Sequence, residues 1–213
     1  MNTDDLVSLL SNGAEAVDSK ATARRFLVAV AAGTAAALTL SAGLLGVRST
    51  PLAESSMPMF WAREAFCASL GVAGLLAMHR LARPGMRLGF APVGLAAPLV
   101  AMWLLAAVAL LGADPERRSS LIFGQTAGVC PFLIALVSTP VFAALLWMMK
   151  GLAPTRLALA GATCGFAAGA IGALAYTLHC PELAAPFLGI WYVLGMLIPT
   201  AVGAWLGPRV LRW

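Results

Sequence analysis

The chain has 213 residues, of which 61% are hydrophobic and only 11% charged, and its 14 Lys and Arg against 9 Asp and Glu give a net formal charge of +5. A water-soluble domain of this size draws roughly a quarter of its residues from the charged types, so a soluble fold is excluded. The pattern specifies an all-α protein, a polytopic bundle of six transmembrane helices with a short cytoplasmic N-terminal helix, divided into a tail (residues 1–25) and a membrane domain (residues 26–213).

The tail reads as a recognition helix. In Thr3-Asp4-Asp5-Leu6, Thr3 would cap the helix while Asp4 and Asp5 occupy its first turn, where exposed N–H groups and the helix dipole favour acids. Leu6, Leu10, Ala14 and Val17 then recur at helical spacing, widened by Val7 and Leu9 and interrupted by Gly13. So short a helix is not stable alone in water and needs a surface. That surface is either the bilayer or a groove on a cytosolic protein; the acids, which anionic lipid repels, favour the groove, with Leu6, Leu9 and Leu10 as anchors. Lys20, Arg24 and Arg25 then mark the membrane boundary.

Six apolar runs follow: Phe26 to Val47, Met57 to Met78, Leu88 to Ala113, Leu121 to Met149, Leu157 to Leu178 and Leu183 to Leu206. Each is long enough to cross a hydrocarbon core of about 30 Å at about 1.5 Å per residue. The first lies too far from the N-terminus, and is too long, for the core of a removable export signal, and reads as a retained anchor. The second is interrupted by Arg63 and Glu64, which places that end in the headgroup zone with Arg63 snorkelling to water. Pro92 and Pro98 are expected to bend the third run, and Pro131 and Pro140 the fourth. The fifth carries the small-residue face Gly161, Gly165, Gly169 and Gly172, on which Cys164 is one more small packing residue. Trp61, Trp147, Trp191 and Trp213 fit interfacial belts.

The basic residues fix orientation. Lys20, Arg24, Arg25, Arg80, Arg83, Arg87, Lys150, Arg156, Arg209 and Arg212 fall on the side of the termini; Arg48, Arg63, Arg117 and Arg118 fall on the other. The positive-inside rule places both termini in the cytoplasm, and the basic excess reports topology and contact with anionic lipid rather than nucleic-acid binding. No tail or loop is large enough to hold a soluble enzyme. The runs also lack Asp, Glu, Arg and His at mid-depth, which argues against a proton-coupled transporter.

Two Cys-Pro pairs, Cys130-Pro131 and Cys180-Pro181, lie on the outward half of neighbouring runs. In an oxidising periplasm such thiols would form a disulfide, or as thiolates bind a soft metal ion; alternatively Cys130 merely packs and Cys180 faces the outer space. His179 would join such a site, or lower the thiol pKa when protonated. Cys67 reads as a core residue, and short Cys-x-x-Cys zinc spacings are absent.

Thr3-Asp4-Asp5-Leu6, the basic juncture before six runs, the Arg83-Pro84-Gly85 turn, Cys130-Pro131, Ala175-Tyr176-x-x-His179-Cys180-Pro181-Glu182 and the Gly207-Pro208-Arg209 ending together resemble the bacterial inner-membrane family called negative regulator of sigma F. The resemblance extends over nearly the whole chain. It implies a non-enzymatic anti-sigma factor that holds an extracytoplasmic-function sigma factor at the inner membrane and releases it on periplasmic metal or oxidative stress. Asp4, Asp5 and Leu6 would belong to the sigma-binding tail, beside Thr3, Leu9 and Leu10 from the helical reading. Cys130 and Cys180 would be the sensing pair, binding a heavy metal at most transiently, with no resident cofactor. Cys67, Cys164 and His179 take no role from the resemblance. The implied partners are the sigma factor and membrane lipid, with no direct contact to nucleic acid. A different class, a small transporter or channel-like bundle with an interfacial N-terminal helix, is motivated by the kinked, Gly-rich runs.

Overall fold

The computed structural model describes residues 2–12, 19–47, 56–83, 86, 89–152 and 154–212. They form eight helices, and no strand occurs among the described residues. Helix α1 spans Thr3–Asn12; α2, Ser19–Leu40, continues through a wide π-type turn, Ser41–Leu45. Then come α3 (Pro58–Leu81), α4 (Ala91–Leu111), the short α5 (Pro115–Phe123), α6 (Cys130–Lys150) and α7 (Leu157–Tyr176). Helix α8, Ala185–Val210, is widened at Leu188–Tyr192. All but α1 and α5 are long and apolar enough to cross a membrane, the first from Thr22 to Leu45.

At the N-terminus the expected cap moves by one residue. Asn2, not Thr3, sits before the first turn: its Oδ1 accepts the Thr3 N–H at 2.9 Å and its carbonyl accepts the Asp5 N–H at 3.1 Å. Asp4 and Asp5 are exposed in the first turn, as the dipole argument requires. Gly13, Ala14 and Val17, and the side chains of Leu6, Leu9 and Leu10, lie outside the described residues.

Helix α7 is the hub, packed against α8, α3, α6 and α2. Its sequence explains this, because Gly161, Gly165 and Gly169, spaced by four, form one ridge without side chains. A Cβ on Gly161 would run into the Gly203 carbonyl of α8, one on Gly165 into the Pro199 carbonyl, and one on Gly169 would come within 2.8 Å of Met196 Cα. Without a hydrophobic drive between helices in lipid, such backbone approach supplies dispersion contacts that larger side chains would prevent. Cys164 lies on this face, fully buried, as a small packing residue. Helix α4 is the opposite case: only 6% of its apolar window is buried, and Val100, Trp103, Leu104 and Val108 point outward.

Two expected features of the runs change. The long fourth run is two helices, because Gly124 adopts φ +51° and ends α5 before α6 begins at Cys130. Pro131 is therefore in the first turn of α6 and Pro92 in the first turn of α4, where the missing N–H has no acceptor to lose. Neither kinks a helix; Pro98 and Pro140 are the interior prolines of those two helices. Among the tryptophans, Trp61 and Trp147 expose their rings near opposite helix ends, as belts do. Trp191 instead donates its indole N–H inward to the Ile122 carbonyl at 2.8 Å, and Trp213 lies outside the described residues.

Replacement of Gly165 by Val should force α7 and α8 apart and lower the thermal midpoint in detergent by several degrees, whereas Val100→Leu on the outer face of α4 should leave it unchanged. A fluorescence-detected thermal scan of the two variants distinguishes these outcomes.

Candidate functional site

The bundle end opposite the termini holds a dense polar cluster. Helix α7 closes with N–H bonds from His179 and Cys180 to the Tyr176 carbonyl, at 3.0 and 3.1 Å, and the chain then runs extended through Pro181–Ala184 into α8. This turn seats Cys180 against Cys130, the first residue of α6, whose own N–H is held by the Thr126 carbonyl at 2.9 Å. The two thiols are neighbours close enough to couple electrically, and both are fully buried. Proximity of the Cys-Pro pair, left open by the sequence, is therefore realised. The physical reason is that each cysteine abuts a helix terminus and each proline fixes the adjoining backbone.

Around the sulfurs lie Phe66, Cys67, Tyr176, Phe187, Leu188 and Tyr192. The Tyr192 and Thr126 hydroxyls are buried without a hydrogen-bond partner that meets distance and angle, and both lie near enough to the Cys180 sulfur to favour its thiolate. The Cys180 thiol is held below the ordinary thiol range, chiefly because Cys130 donates to it, with the Glu182 backbone N–H adding to the effect against the opposing cost of burial. A thiolate at Cys180 would thus meet several donors at once.

Arg63 overturns its expected role. Rather than snorkelling, it is 1% exposed and points into the bundle. Its Nη1 donates to the carbonyls of Cys180, at 3.1 Å, and Glu182, at 3.2 Å, while Nε and Nη2 reach Glu64 Oε1 at 3.3 and 3.2 Å. The guanidinium also stacks over Phe60, 5.3 Å from the ring centre. The Thr177 hydroxyl lies 3.2 Å from Glu64 Oε2. Sequence reasoning missed this residue because an arginine near a helix end reads equally as a snorkelling one; the adjacent Glu64 was the available signal that a partner comes with it.

The far side of the turn is clamped as well. Glu182 Oε1 accepts the Gln125 N–H at 2.7 Å, and its carboxylate occupies the space a Cβ on Gly124 would need, 2.6 Å away. Residues 180–182 are thus held between α3 on one side and the α5–α6 turn on the other.

His179 does not join the thiols. It is half-buried, its ring beside Tyr176, with Nδ1 3.4 Å from the Gly46 carbonyl. No group of three or more His, Cys, Asp or Glu able to hold a metal ion occurs among the described residues. The Cys130 and Cys180 pair would offer a soft ion two sulfurs, with the Tyr192 and Thr126 hydroxyls nearby. Cys67, read as a packing residue, is buried in the same cluster.

One link runs from this end toward the tail. Ser41, fully buried in the wide turn of α2, donates its hydroxyl to the Ala175 carbonyl at 3.0 Å, one residue from Tyr176. With the His179 contact to Gly46, the C-terminal end of α2 is attached at one point to the last turn of α7 and at another to the thiol-bearing turn that follows it.

Substitution of Arg63 by Ala should free the turn and raise the rate of Cys180 alkylation by at least tenfold in a Cys67→Ser, Cys164→Ser background. Arg63→Lys should give an intermediate rate, since a lysine cannot span both carbonyls and Glu64. Maleimide labelling followed by intact-mass measurement reads both.

Comparison with known proteins places this geometry in context. The sequence profile of the family described as negative regulator of sigma F matches residues 10–213, so Thr3 to Leu6 lie outside the matched stretch. A probable anti-sigma-F factor of Azospira oryzae is 48% identical over 213 residues, with both chains fully covered. The anti-sigma-F factor of Caulobacter vibrioides is 36% identical over an alignment of 225 residues, again with both chains fully covered. No solved structure matches the chain.

Proposed function

The chain belongs to the negative regulator of sigma F family, a family of regulatory proteins rather than enzymes, and from that premise we propose that it captures an extracytoplasmic-function sigma factor at the bacterial inner membrane and releases it when its buried thiol pair reacts. In this reading both termini are cytoplasmic, the tail with Thr3, Asp4, Asp5, Leu6, Leu9 and Leu10 binds the sigma factor, and Cys130 and Cys180 sense periplasmic oxidant or heavy metal.

The observation that carries the proposal is the attachment of α2 to the thiol-bearing turn, through Ser41 to Ala175 and Gly46 to His179, because α2 is also the helix that leads out of the tail. Oxidation would remove two protons and two electrons from the thiols to a peroxide or a high-valent metal oxyanion and join the two sulfurs; a soft cation would instead displace the two protons. Either event draws the 177–184 turn toward the start of α6, since a covalent or metal-bridged pair is more tightly constrained than two neighbouring thiols. Ala175 and the outer end of α2 are displaced with it, and α2 transmits the change along its length to the tail.

Release requires only that the two packings differ in affinity for the sigma factor. A difference of about 3 kcal/mol weakens binding roughly a hundredfold. In the resting state the bilayer supports capture by holding the tail helix at one surface, where a bound sigma factor is kept from core polymerase by tethering as well as by contact.

Pull-down of the sigma factor from detergent extracts should fail for Asp4→Asn, Asp5→Asn, Leu6→Ala combined, and retention by that variant would refute the tail assignment. With reconstituted protein, Cys130→Ser, Cys180→Ser should hold its sigma factor through chromate, cadmium or peroxide treatment that empties the wild type. Ser41→Ala should separate the two halves of the mechanism, its thiols reacting at the normal rate while release is slowed severalfold.

A further inference from the structure

At the bundle end that carries the termini, a groove of about 520 Å³ opens between α2, α3 and α6. Its floor and walls are apolar, with Phe26 and Leu27 of α2, Leu75 and Leu76 of α3 and Met148 of α6, while His79 and Arg83 stand at its α3 end. A second cavity of about 270 Å³ shares Thr22, Met148 and Leu152 with the first and is lined by Arg25 and Lys150. No acidic side chain lines either cavity. Leu75 and Leu76 lie within the membrane-crossing length of α3, so the groove is open to the bilayer from the side. An acyl chain fits three apolar walls, and three cations, Arg83 in the first cavity and Arg25 and Lys150 in the second, face no acidic side chain lining either.

We propose that these cavities form one binding site for an anionic phospholipid, an acyl chain lying along Phe26, Leu75, Leu76 and Met148 with its phosphate among Arg25, Arg83 and Lys150. Phosphate oxygens accept from guanidinium and ammonium groups together, which a zwitterionic headgroup does with its own cation in competition. The site is distinct from the thiol cluster at the other end of the bundle and does not depend on sigma capture. Its occupant would sit between α2 and α3 where Phe26 meets the His79 ring edge-on, 6.1 Å between centres, and so would set the separation of these two helix ends.

The test is native mass spectrometry of the full chain exchanged into detergent with equimolar phosphatidylglycerol and phosphatidylcholine. The wild type should retain one phosphatidylglycerol in preference to phosphatidylcholine, and Arg25→Gln, Arg83→Gln and Lys150→Gln should each weaken that retention by about fivefold. Ala23→Trp, which fills the groove and leaves the charge unchanged, should also lower it, while all four variants elute as the wild type on size exclusion. Equal retention of the two lipids by the wild type, or undiminished retention by the three charge variants combined, overturns the site. A photo-crosslinking side chain placed at Leu76 should acquire the mass of phosphatidylglycerol in vesicles of that lipid; crosslinking to residues 3–12 instead would assign the groove to the N-terminal helix and overturn the proposal.

Discussion

A guanidinium inside a lipid-embedded bundle has no water to fall back on, and every unmet N–H there is costly. Arg63 meets that demand with two backbone carbonyls and a carboxylate, and the choice of carbonyls organises the bundle end opposite the termini. Carbonyls belong to a path of chain rather than to a side chain, so binding those of Cys180 and Glu182 fixes the course of the turn itself. The Cys180 sulfur is positioned as a result, and Glu182 is left with its carboxylate directed at Gln125 and over Gly124. A charge that composition would count as a defect in a transmembrane helix thereby becomes the nail that holds the reactive turn.

The other organising constraint is steric. The Gly ridge of α7 lets α8 approach to backbone contact, and the C-terminal end of the same helix delivers Tyr176 and the turn carrying Cys180. Close packing along α7 leaves little free volume on the faces it turns to α8, α3 and α6. Helix α4 shares none of this packing along most of its length, and joins the cluster chiefly through Met102 and the bond from Trp103 Nε1 to the Gly189 carbonyl at 3.1 Å. Closely packed and lipid-facing helices therefore meet around the thiols.

Much of this was legible in the sequence. Hydrophobic length and Gly/Pro usage were enough for six helices, and the Gly161, Gly165, Gly169 spacing identified a packing face, because both follow from local chemistry that lipid does not disguise. The two Cys-Pro pairs could be singled out, yet their meeting depends on how α6 and α7 pack, which is not a local property. Pro131 was misread as a kink because a proline in a long apolar run looks interior until Gly124, with its positive φ, ends the preceding helix. Arg63 was misread for a related reason: whether an arginine snorkels or is buried is decided by acceptors more than a hundred residues away. The role of Ser41 gave no signal, since a lone serine in an apolar run is ordinary.

The widened turn of α8 at Leu188–Tyr192 brings Tyr192 onto the same flank as Tyr176 and Phe187, with ring centres 6.2 and 6.5 Å apart. A widened turn accommodates one more residue than a regular one, and each residue of a regular helix rotates its successor by roughly 100°. Register on either side of this bulge is therefore offset: beyond Val193 the helix faces α7 with Pro199, Gly203 and Gly207, while Tyr192 still faces the sulfurs. An evolutionary loss of one residue here would leave hydropathy and length almost untouched and yet swing the phenol out of the pocket, so the gap pattern of this short stretch, more than its residue types, records whether a related chain keeps the same chamber.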